Sequence, residues 1–342
     1  MISEQTIQAI RDISVEEIVS RYLEVKKHAA CCPFHNENTP SLRINNAKNI
    51  FKCFGCGVAG DGIKFVELHE KLTFSETLER IARDHGIHVE YIDTYTPEER
   101  KAHTDKMDTY RQILNYAQDF YTKALSKNEE VKNYLYARGI TDDDISTWKL
   151  GYAPEGYQGI VKGIVERGWF EPAFHIGLVG TTSGTNWDMY RNRITIPLSD
   201  RHGQIIGFSA RVVDDSKPKY LNPKESDIYQ KSNMWFGWDE AIKSIAEEKN
   251  VRIVEGYFDV ISLHRKNVTN AIAGCGTEID EKQLRLLKPH TSCITLMYDG
   301  DNAGQKKIAM HTKKALKLGF AVQVVEMPEG KDPDDLSKQF NE

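Results

Sequence analysis

VRIVEGYFDVISLHRKNVTNAIAGCGTEIDEKQLRLLKPHTSCITLMYDGDNAGQKKIAMHTKKALKLGFAVQVVEMPEGKDPDD, residues 251–335, is the most regularly patterned part of the chain. Four apolar runs, VRIVEG (251–256), NAIAGC (270–275), ITLMYD (294–299) and AVQVVEM (321–327), read as buried strands. The stretches between them, about 258–266, 280–288 and 302–318, have helical spacing. Strands alternating with helices predict a parallel sheet with helices on its faces.

Acids gather at the ends of these runs. Glu255 closes the first, Asp299 and Asp301 close the third, and Asp332 and Asp334 follow the fourth. Ligands of open parallel sheets bind beyond the carboxyl ends of the strands, so the pattern predicts one acid-lined crevice. Like charges so close need a cation, and hard oxygen donors select Mg2+ or Mn2+. Two such ions suit nucleotidyl transfer. The plainer reading is helix capping, which Asp301, just before a predicted helix, would satisfy. Gly276 and Thr277 form a further loop at the same edge, suited to holding a phosphate.

Working outward, the segment from Arg191 to Lys231 carries eight Lys and Arg against five Asp and Glu, in a chain of net charge −5. Arg191, Arg193, Arg211, Lys219 and Lys231 are spaced by strand-like pieces, ITIPL and QIIGFSARVV. Cations there suit template phosphates or a triphosphate. A solvated charged face is the ordinary reading of any one of them.

At the other end, Cys32-Pro-Phe-His35 is followed, after 17 residues, by Cys53-Phe-Gly-Cys56. Two-residue spacers turn both members of a pair onto one ion, so three thiolates and an imidazole complete a closed zinc tetrahedron. Such a site is structural. Cys31 breaks the spacing and is a spare thiol. Thr39, Ser41, Arg43, Lys48, Lys52, Phe51 and Phe54 flank the ligands, where cations suit phosphates and aromatic faces suit unpaired bases. Ordinary core packing is the alternative for the two phenylalanines.

A helix is predicted from Ser3 to about Tyr22, with Ile7, Ile10, Ile18 and Val19 inward. Two short helices follow the Cys/His region, the second with a capping box at Thr73 and Glu76. Residues 90–108 are polar and read as a linker or exposed helix. A helical stretch covers about 108–137. No apolar run approaches the ~18 residues of a membrane span, and the acidic amphipathic start lacks a signal-peptide pattern. The expected location is the cytoplasm, with no membrane partner.

Taken together, these elements resemble the bacterial, DnaG-type DNA primase family over nearly the whole chain. CPFHNENTPSLRI and FKCFGCGVAGDGIKFV resemble its CHC2-type zinc-binding domain. RNRITIPLSD, GQIIGFSARV and KYLNPKESDIYQK resemble the basic part of its RNA polymerase domain, and VEGYFDV, YDGDNAG and GKDPDD its TOPRIM signatures. The resemblance implies an α+β and α/β multidomain chain: a zinc-binding domain at 1–89, a linker at 90–108, a mixed basic subdomain at 109–247 and a TOPRIM parallel-sheet subdomain at 248–342. It implies zinc ligands Cys32, His35, Cys53 and Cys56. It implies Glu255, Asp299 and Asp301 as catalytic and, with Asp259, Asp332 and Asp334, as holders of two or more Mg2+ or Mn2+ ions. Glu255 would assist nucleotide transfer. Nucleic-acid or nucleotide contacts are implied at Arg191, Arg193, Arg211, Lys219, Tyr220, Asn222 and Lys231.

The implied activity is synthesis of short RNA primers from ribonucleoside triphosphates on a single-stranded DNA template. A replicative helicase or other replication protein is the implied partner. The sequence ends eight residues after Asp334, where the family's cellular members continue into further domains. The expectation is a short form, as in phage, plasmid or mobile elements. A TOPRIM nuclease uses the same acids, but the zinc region and KYLN segment favour synthesis. A non-catalytic single-strand binder would not need the acidic set.

Overall fold

The computed structural model describes residues 2–70, 72–92, 96–214, 216–276 and 278–339. The chain divides into two compact units, residues 1–100 and 101–342.

The first unit runs α1 (Glu4–Arg11), α2 (Val15–Ser20), β1 (Ala29–Ala30), β2 (Leu42–Asn45), β3 (Ile50–Cys53), β4 (Ala59–Gly60), α3 (Gly62–Glu70) and α4 (Phe74–His85). The strands form an antiparallel sheet in the order β1-β2-β3-β4. Strict alternation in β2 and β3 buries Leu42, Ile44, Phe51 and Cys53 and leaves Arg43 and Lys52 in solvent. Phe51 packs against Phe65 with the ring planes at 89°, in a core shared with Ile10, Ile18 and Ile81. Truncating such a buried ring costs about 3–5 kcal/mol. The packing reading therefore holds for Phe51, while Phe54 is 71% exposed.

The single helix expected over Ser3–Tyr22 is two helices, and its break comes from far along the chain. The Asn49 amide donates to the carbonyls of Arg11 and Ile13, both at 2.9 Å, and its oxygen accepts from Val15 N at 2.7 Å. A side chain in the β2–β3 turn thus satisfies the backbone groups that an uninterrupted helix would have paired internally. Ile10, Ile18 and Val19 are buried as expected, and Ile7 is half-buried. The capping box at Thr73 and Glu76 starts α4, and Gly86 ends it at φ 67°, the left-handed geometry that glycine adopts without strain.

The second unit opens on helices: α5 (Pro97–Ser126), α6 (Glu129–Ala137) and α7 (Asp142–Thr147). Residues 93–95 of the expected linker lie outside the described residues; 97–106 are an exposed part of α5. Next come β5 (Gly151–Ala153), α8 (Val161–Glu166), α9 (Phe170–His175) and the hairpin β6 (Val179–Thr182) and β7 (Thr185–Asp188). Then follow β8 (Arg193–Ser199), β9 (Ile205–Val212), β10 (Tyr220–Leu221), a short turn at Lys231–Asn233 and α10 (Trp238–Glu248). An antiparallel sheet orders these strands β10-β9-β8-β5. Every residue of β9 is buried.

The remainder alternates as expected: β11 (Asn250–Val254), α11 (Tyr257–Arg265), β12 (Ala271–Ala273), α12 (Glu281–Leu287), β13 (Cys293–Leu296), α13 (Asn302–Lys317), β14 (Ala321–Val324) and α14 (Pro333–Gln339). The sheet is parallel throughout, in the order β12-β11-β13-β14. The chain leaves β11 first toward β12 and then crosses back to β13. The strand order therefore reverses between β11 and β13, the position at which open α/β sheets form a crevice. Strand ends depart from expectation. Glu255 lies one residue beyond β11, Asp299 three residues beyond β13, and Asp332 well beyond β14. After Met297 N donates to Ile253 O, the chain turns away, and Asp299 N pairs with a side chain instead of a strand.

Among the described residues no helix is long and apolar enough to cross a membrane.

Candidate metal centres and nucleic-acid face

Four side chains of the first unit converge. One ligand atom from each of Cys32, His35, Cys53 and Cys56 lies within 4.8 Å of the others. Cys32 Sγ and Cys56 Sγ are 3.8 Å apart, and Cys53 Sγ is 3.9 Å from His35 Nδ1. Zn–S bonds of ~2.3 Å give tetrahedron edges of about 3.8 Å, so the donor set fits that ion. The surroundings hold it in shape. Glu37 Oε2 is 3.1 Å from His35 Nε2, which turns Nδ1 toward the thiols. The other Glu37 oxygen accepts from the amides of Cys32 at 2.6 Å and Ser41 at 3.2 Å. The Ser41 hydroxyl and these amides hold the Glu37 carboxyl down at about 2.

Burial alone would push the Cys53 thiol up. Its sulfur also faces the Ser41 hydroxyl at 3.1 Å and accepts from the amides of Gly55 and Cys56, both at 3.3 Å. Together these bring it down to about 6, toward the thiolate a metal needs. A Cβ on Gly55 would lie 2.5 Å from His35 Nε2, so glycine is required where the knuckle passes the imidazole. Cys31 is exposed and outside the group. Ser41, which flanks the ligands in the sequence, faces Cys53.

The acids of the second unit meet around the β11–β13 crevice. Glu255 Oε1 accepts from Asp299 N at 3.2 Å, and its other oxygen is ion-paired with Lys307. Asp259 reaches back to accept from Gly256 N at 2.8 Å, and is buried. The distant loop is fastened to the site by backbone: Gly300 N donates to Lys331 O at 2.8 Å and Gly330 N to Gly300 O at 3.2 Å. A Cβ on Gly300 would lie 2.0 Å from Pro328 O, so only glycine permits this approach. That contact brings Asp332 toward Asp299.

Capping is real here too. Asp301 accepts from Gly304 N at 2.7 Å and Asp332 from Asp335 N at 2.7 Å, each with one oxygen. Asp334 is not in a loop: it lies in the first turn of α14, buried, and accepts from Ser262 of α11. Among the described residues, only the Cys/His group closes to 4.8 Å; the acids stand further apart. They nevertheless feel one another. Burial, then Asp332 and Asp299, pushes the Asp259 carboxyl up to about 8. Burial, then Glu255 and Asp332, pushes Asp299 up to about 6. A crevice of hard oxygen donors under mutual repulsion is chemically matched to a divalent cation.

The cations differ in exposure. Arg211 is buried, donating to Tyr220 Oη at 2.8 Å and to Tyr134 Oη at 3.3 Å. Arg193 is buried against the carbonyls of Ala210 and Lys219. Arg191 sits between the rings of Tyr157 and Trp187, at 4.6 and 5.3 Å. Lys219 is exposed. Asn222 ties the antiparallel sheet to the acid-bearing one: its oxygen accepts from Ser209 Oγ at 2.8 Å and Tyr257 Oη at 3.0 Å. Sequence reasoning misses two cations at this site, Lys307 and Arg138. The latter packs 5.4 Å from the centre of the Phe258 ring. The one local signal for Lys307 is its place early on the helix that follows YDGD. Thr277 of the expected phosphate loop lies outside the described residues.

A zinc ribbon together with a parallel sheet whose switch point is lined by acids defines a Toprim-bearing protein with a CHC2 ribbon. Residues 2–97 match the CHC2 zinc finger family, 120–242 the N-terminal domain of the DNA primase catalytic core, and 252–337 the Toprim-like family. The chain is 35% identical to the DNA primase of Aquifex aeolicus over 96% of its length and 65% of that protein. It is 33% identical to the DNA primase of Clostridium acetobutylicum over 99% of its length and 57% of that protein. It thus spans about three fifths of the curated relatives it matches. The crystal structure of the Aquifex aeolicus zinc-binding and RNA polymerase domains superposes with a TM-score of 0.65 at 34% identity, covering 98% of this chain and 82% of that one. The chain belongs to the DnaG-type DNA primase family. Its ribbon and Toprim domains imply binding of zinc and of divalent metal.

Proposed function

We propose that this chain is a DNA primase, a nucleotidyltransferase that joins ribonucleoside triphosphates into short RNA primers on a single-stranded DNA template. The observation that carries the reading is the pairing of Glu255 with Asp299 across the β11–β13 switch point, in one compact unit with Lys219, Tyr220, Asn222 and Lys231. A DnaG primase catalytic domain bound to single-stranded DNA, 29% identical to this chain with a TM-score of 0.65, supports that template.

Two or more Mg2+ or Mn2+ ions, when bound, supply activation of the attacking hydroxyl and compensation of charge on the leaving pyrophosphate. Glu255, Asp259, Asp299, Asp301, Asp332 and Asp334 are the residues to hold them, and Glu255 also assists transfer beside them. Arg191, Arg193, Arg211, Lys219, Tyr220, Asn222 and Lys231 form the nucleic-acid and nucleotide face. Buried Arg193 and Arg211 shape that face, and Lys219 contacts phosphate directly. One zinc, on Cys32, His35, Cys53 and Cys56, maintains the ribbon. In this reading the zinc-binding domain is 1–89, the linker 90–108, the basic subdomain 109–247 and the TOPRIM subdomain 248–342. A replicative helicase or other replication protein is the partner.

The test is to supply single-stranded DNA, four ribonucleotides and Mg2+ or Mn2+ and to look for short RNA. Asp299→Ala should lower synthesis by at least ~100-fold, because a metal site contributes several kcal/mol to the transition state. Template binding, which rests on other residues, should survive. Cutting of the DNA without synthesis would favour the nuclease, and near wild-type synthesis by Asp299→Ala would overturn the assignment.

A further inference from the structure

Beside the acid cluster lies a recess of opposite character. Glu255, Gly276, Tyr298, Lys307 and His311 are among the residues that line it, and Glu255 is the one acid among the described lining residues. Lys307, from the second turn of α13, projects its ammonium onto Glu255 with its side chain 23% exposed. Lys231 reaches the lining residue Gly276: a Cβ there would lie 2.2 Å from its Nζ, so the ammonium rests on the Gly276 backbone. Among the described residues Lys231 forms no salt bridge.

The recess holds a third donor. Ile279 N donates to His311 Nε2 at 3.2 Å, so a neutral His311 carries its proton on Nδ1. Burial holds this histidine down at about 4, which keeps it neutral. Nδ1 then donates to Tyr298 Oη at 2.8 Å. The tyrosine oxygen is used as an acceptor, and its own O–H remains to donate elsewhere. Two ammonium groups and a phenol therefore lie about a space lined by one acid, Glu255, with Glu278 and Asp299 acting from outside the described lining.

A cation bound at Glu255 would compete with Lys307 for the charge of that carboxylate. Lys307 feels a second carboxylate, Asp299, but that acid belongs to the same metal-binding set, so a metal that engages both acids leaves the half-buried ammonium short of counter-charge, which is costly. An incoming anion removes that cost. We propose that Lys307 is a triphosphate-binding residue, held on Glu255 in the empty site and turned to the phosphate oxygens of the incoming ribonucleotide, with Lys231 and Tyr298 as the accompanying donors. A lysine suits this task because a compact charge on a flexible stem can change partners. The inference rests on the primase reading and deepens it by assigning the substrate's phosphates to this recess.

The chain of residues 1–342, with ATP and AMP as probes, tests it. Lys307→Ala should weaken ATP binding about tenfold or more, the effect of losing a charged hydrogen bond, and leave AMP binding nearly unchanged. Lys307→Met keeps the stem's packing and should behave alike if Lys307→Ala fails to fold. Lys307→Arg should restore part of the ATP affinity. In primer synthesis the KM for ribonucleotide should rise more than kcat falls. Wild-type ATP affinity in a folded Lys307→Met would overturn the proposal and leave Lys307 a fixed counter-ion of Glu255. A wild-type chain that makes RNA, paired with that result, would isolate the failure to Lys307. A wild-type chain that neither binds ATP nor makes RNA would bring down the primase reading, and this proposal with it.

Discussion

The two metal-suited sites of this molecule are built on opposite plans. In the ribbon every ligand is already where an ion requires it, and the spare atoms of the ligands are occupied: Glu37 on His35, and Ser41 and two amides on Cys53. In the crevice the acids stand apart, with oxygens given to helix caps at Asp301 and Asp332 and to a lysine at Glu255. The first arrangement is complete and closed to anything but its ion. The second is under repulsion and incomplete until a cation, and something carried with it, arrives. On the proposed reading, the difference is that between a site that maintains a fold and one that exchanges ligands.

The largest expected effect breaks the ribbon. Structural zinc supplies on the order of 10–16 kcal/mol to small domains, more than such a domain's own stability. Cys53→Ser removes the thiol that carries the most hydrogen bonds, so the first unit should lose its zinc and unfold while residues 101–342 keep their structure. Metal analysis and hydrogen exchange on the variant check this. Zinc absent from freshly purified wild type, or a ribbon equally protected in Cys53→Ser, would erase the contrast.

What the sequence disclosed follows the same division. The zinc ligands were legible because their spacing is itself the chemistry, and the acids because parallel strands deliver their ends to one edge. The α4 capping box was legible for the same reason: its partners are three residues apart. The misreadings came from partners distant in sequence. Asn49 breaks the first helix from the β2–β3 turn, and no local pattern announces it. Arg193 and Arg211 look like surface cations in a list of charges, yet the sheet closes over them. Asp334 reads as a loop acid until α14 packs it on Ser262. Lys307 lay in plain view on a helix, and its role depends on an acid 52 positions earlier.

A second, smaller effect sharpens the crevice side. In metal-free protein the Asp259 carboxyl is raised to about 8 and Asp299 to about 6, above the ~4 of an unfolded chain. The folded state therefore binds more protons than the unfolded one between those values. The contribution of these groups to stability is fully present below pH ~4 and is lost as pH rises through about 6 and 8. In EDTA the melting temperature of the second unit should fall from pH 5 to pH 8. Added Mg2+ or Mn2+ should restore it, with the larger gain at pH 8. The expected size is on the order of a few kcal/mol. A metal-induced shift that is equal at both pH values would mean that the acids are not the groups being relieved.

The smallest effect concerns how each region would meet nucleic acid. Beside the ribbon's ligands stands Phe54, 71% exposed, with Lys52 Nζ 5.4 Å from its ring centre. On the crevice side the exposed candidate is Lys219, which forms no salt bridge among the described residues. An aromatic face acts on a base by stacking, worth about 1–3 kcal/mol per base and carrying no counterion release. A lysine on a phosphate releases a counterion and enters the salt dependence, with a slope of about −0.7 per contact on a single strand. Phe54→Ala should therefore weaken single-stranded DNA binding without altering its slope against log salt. Lys219→Ala should flatten that slope by about one contact while costing little affinity at high salt. Titrating both variants at several salt concentrations separates the two behaviours. A common slope for wild type and Lys219→Ala would reduce that lysine to ordinary surface charge, and the ribbon's exposed ring would then be the better-supported contact of the two.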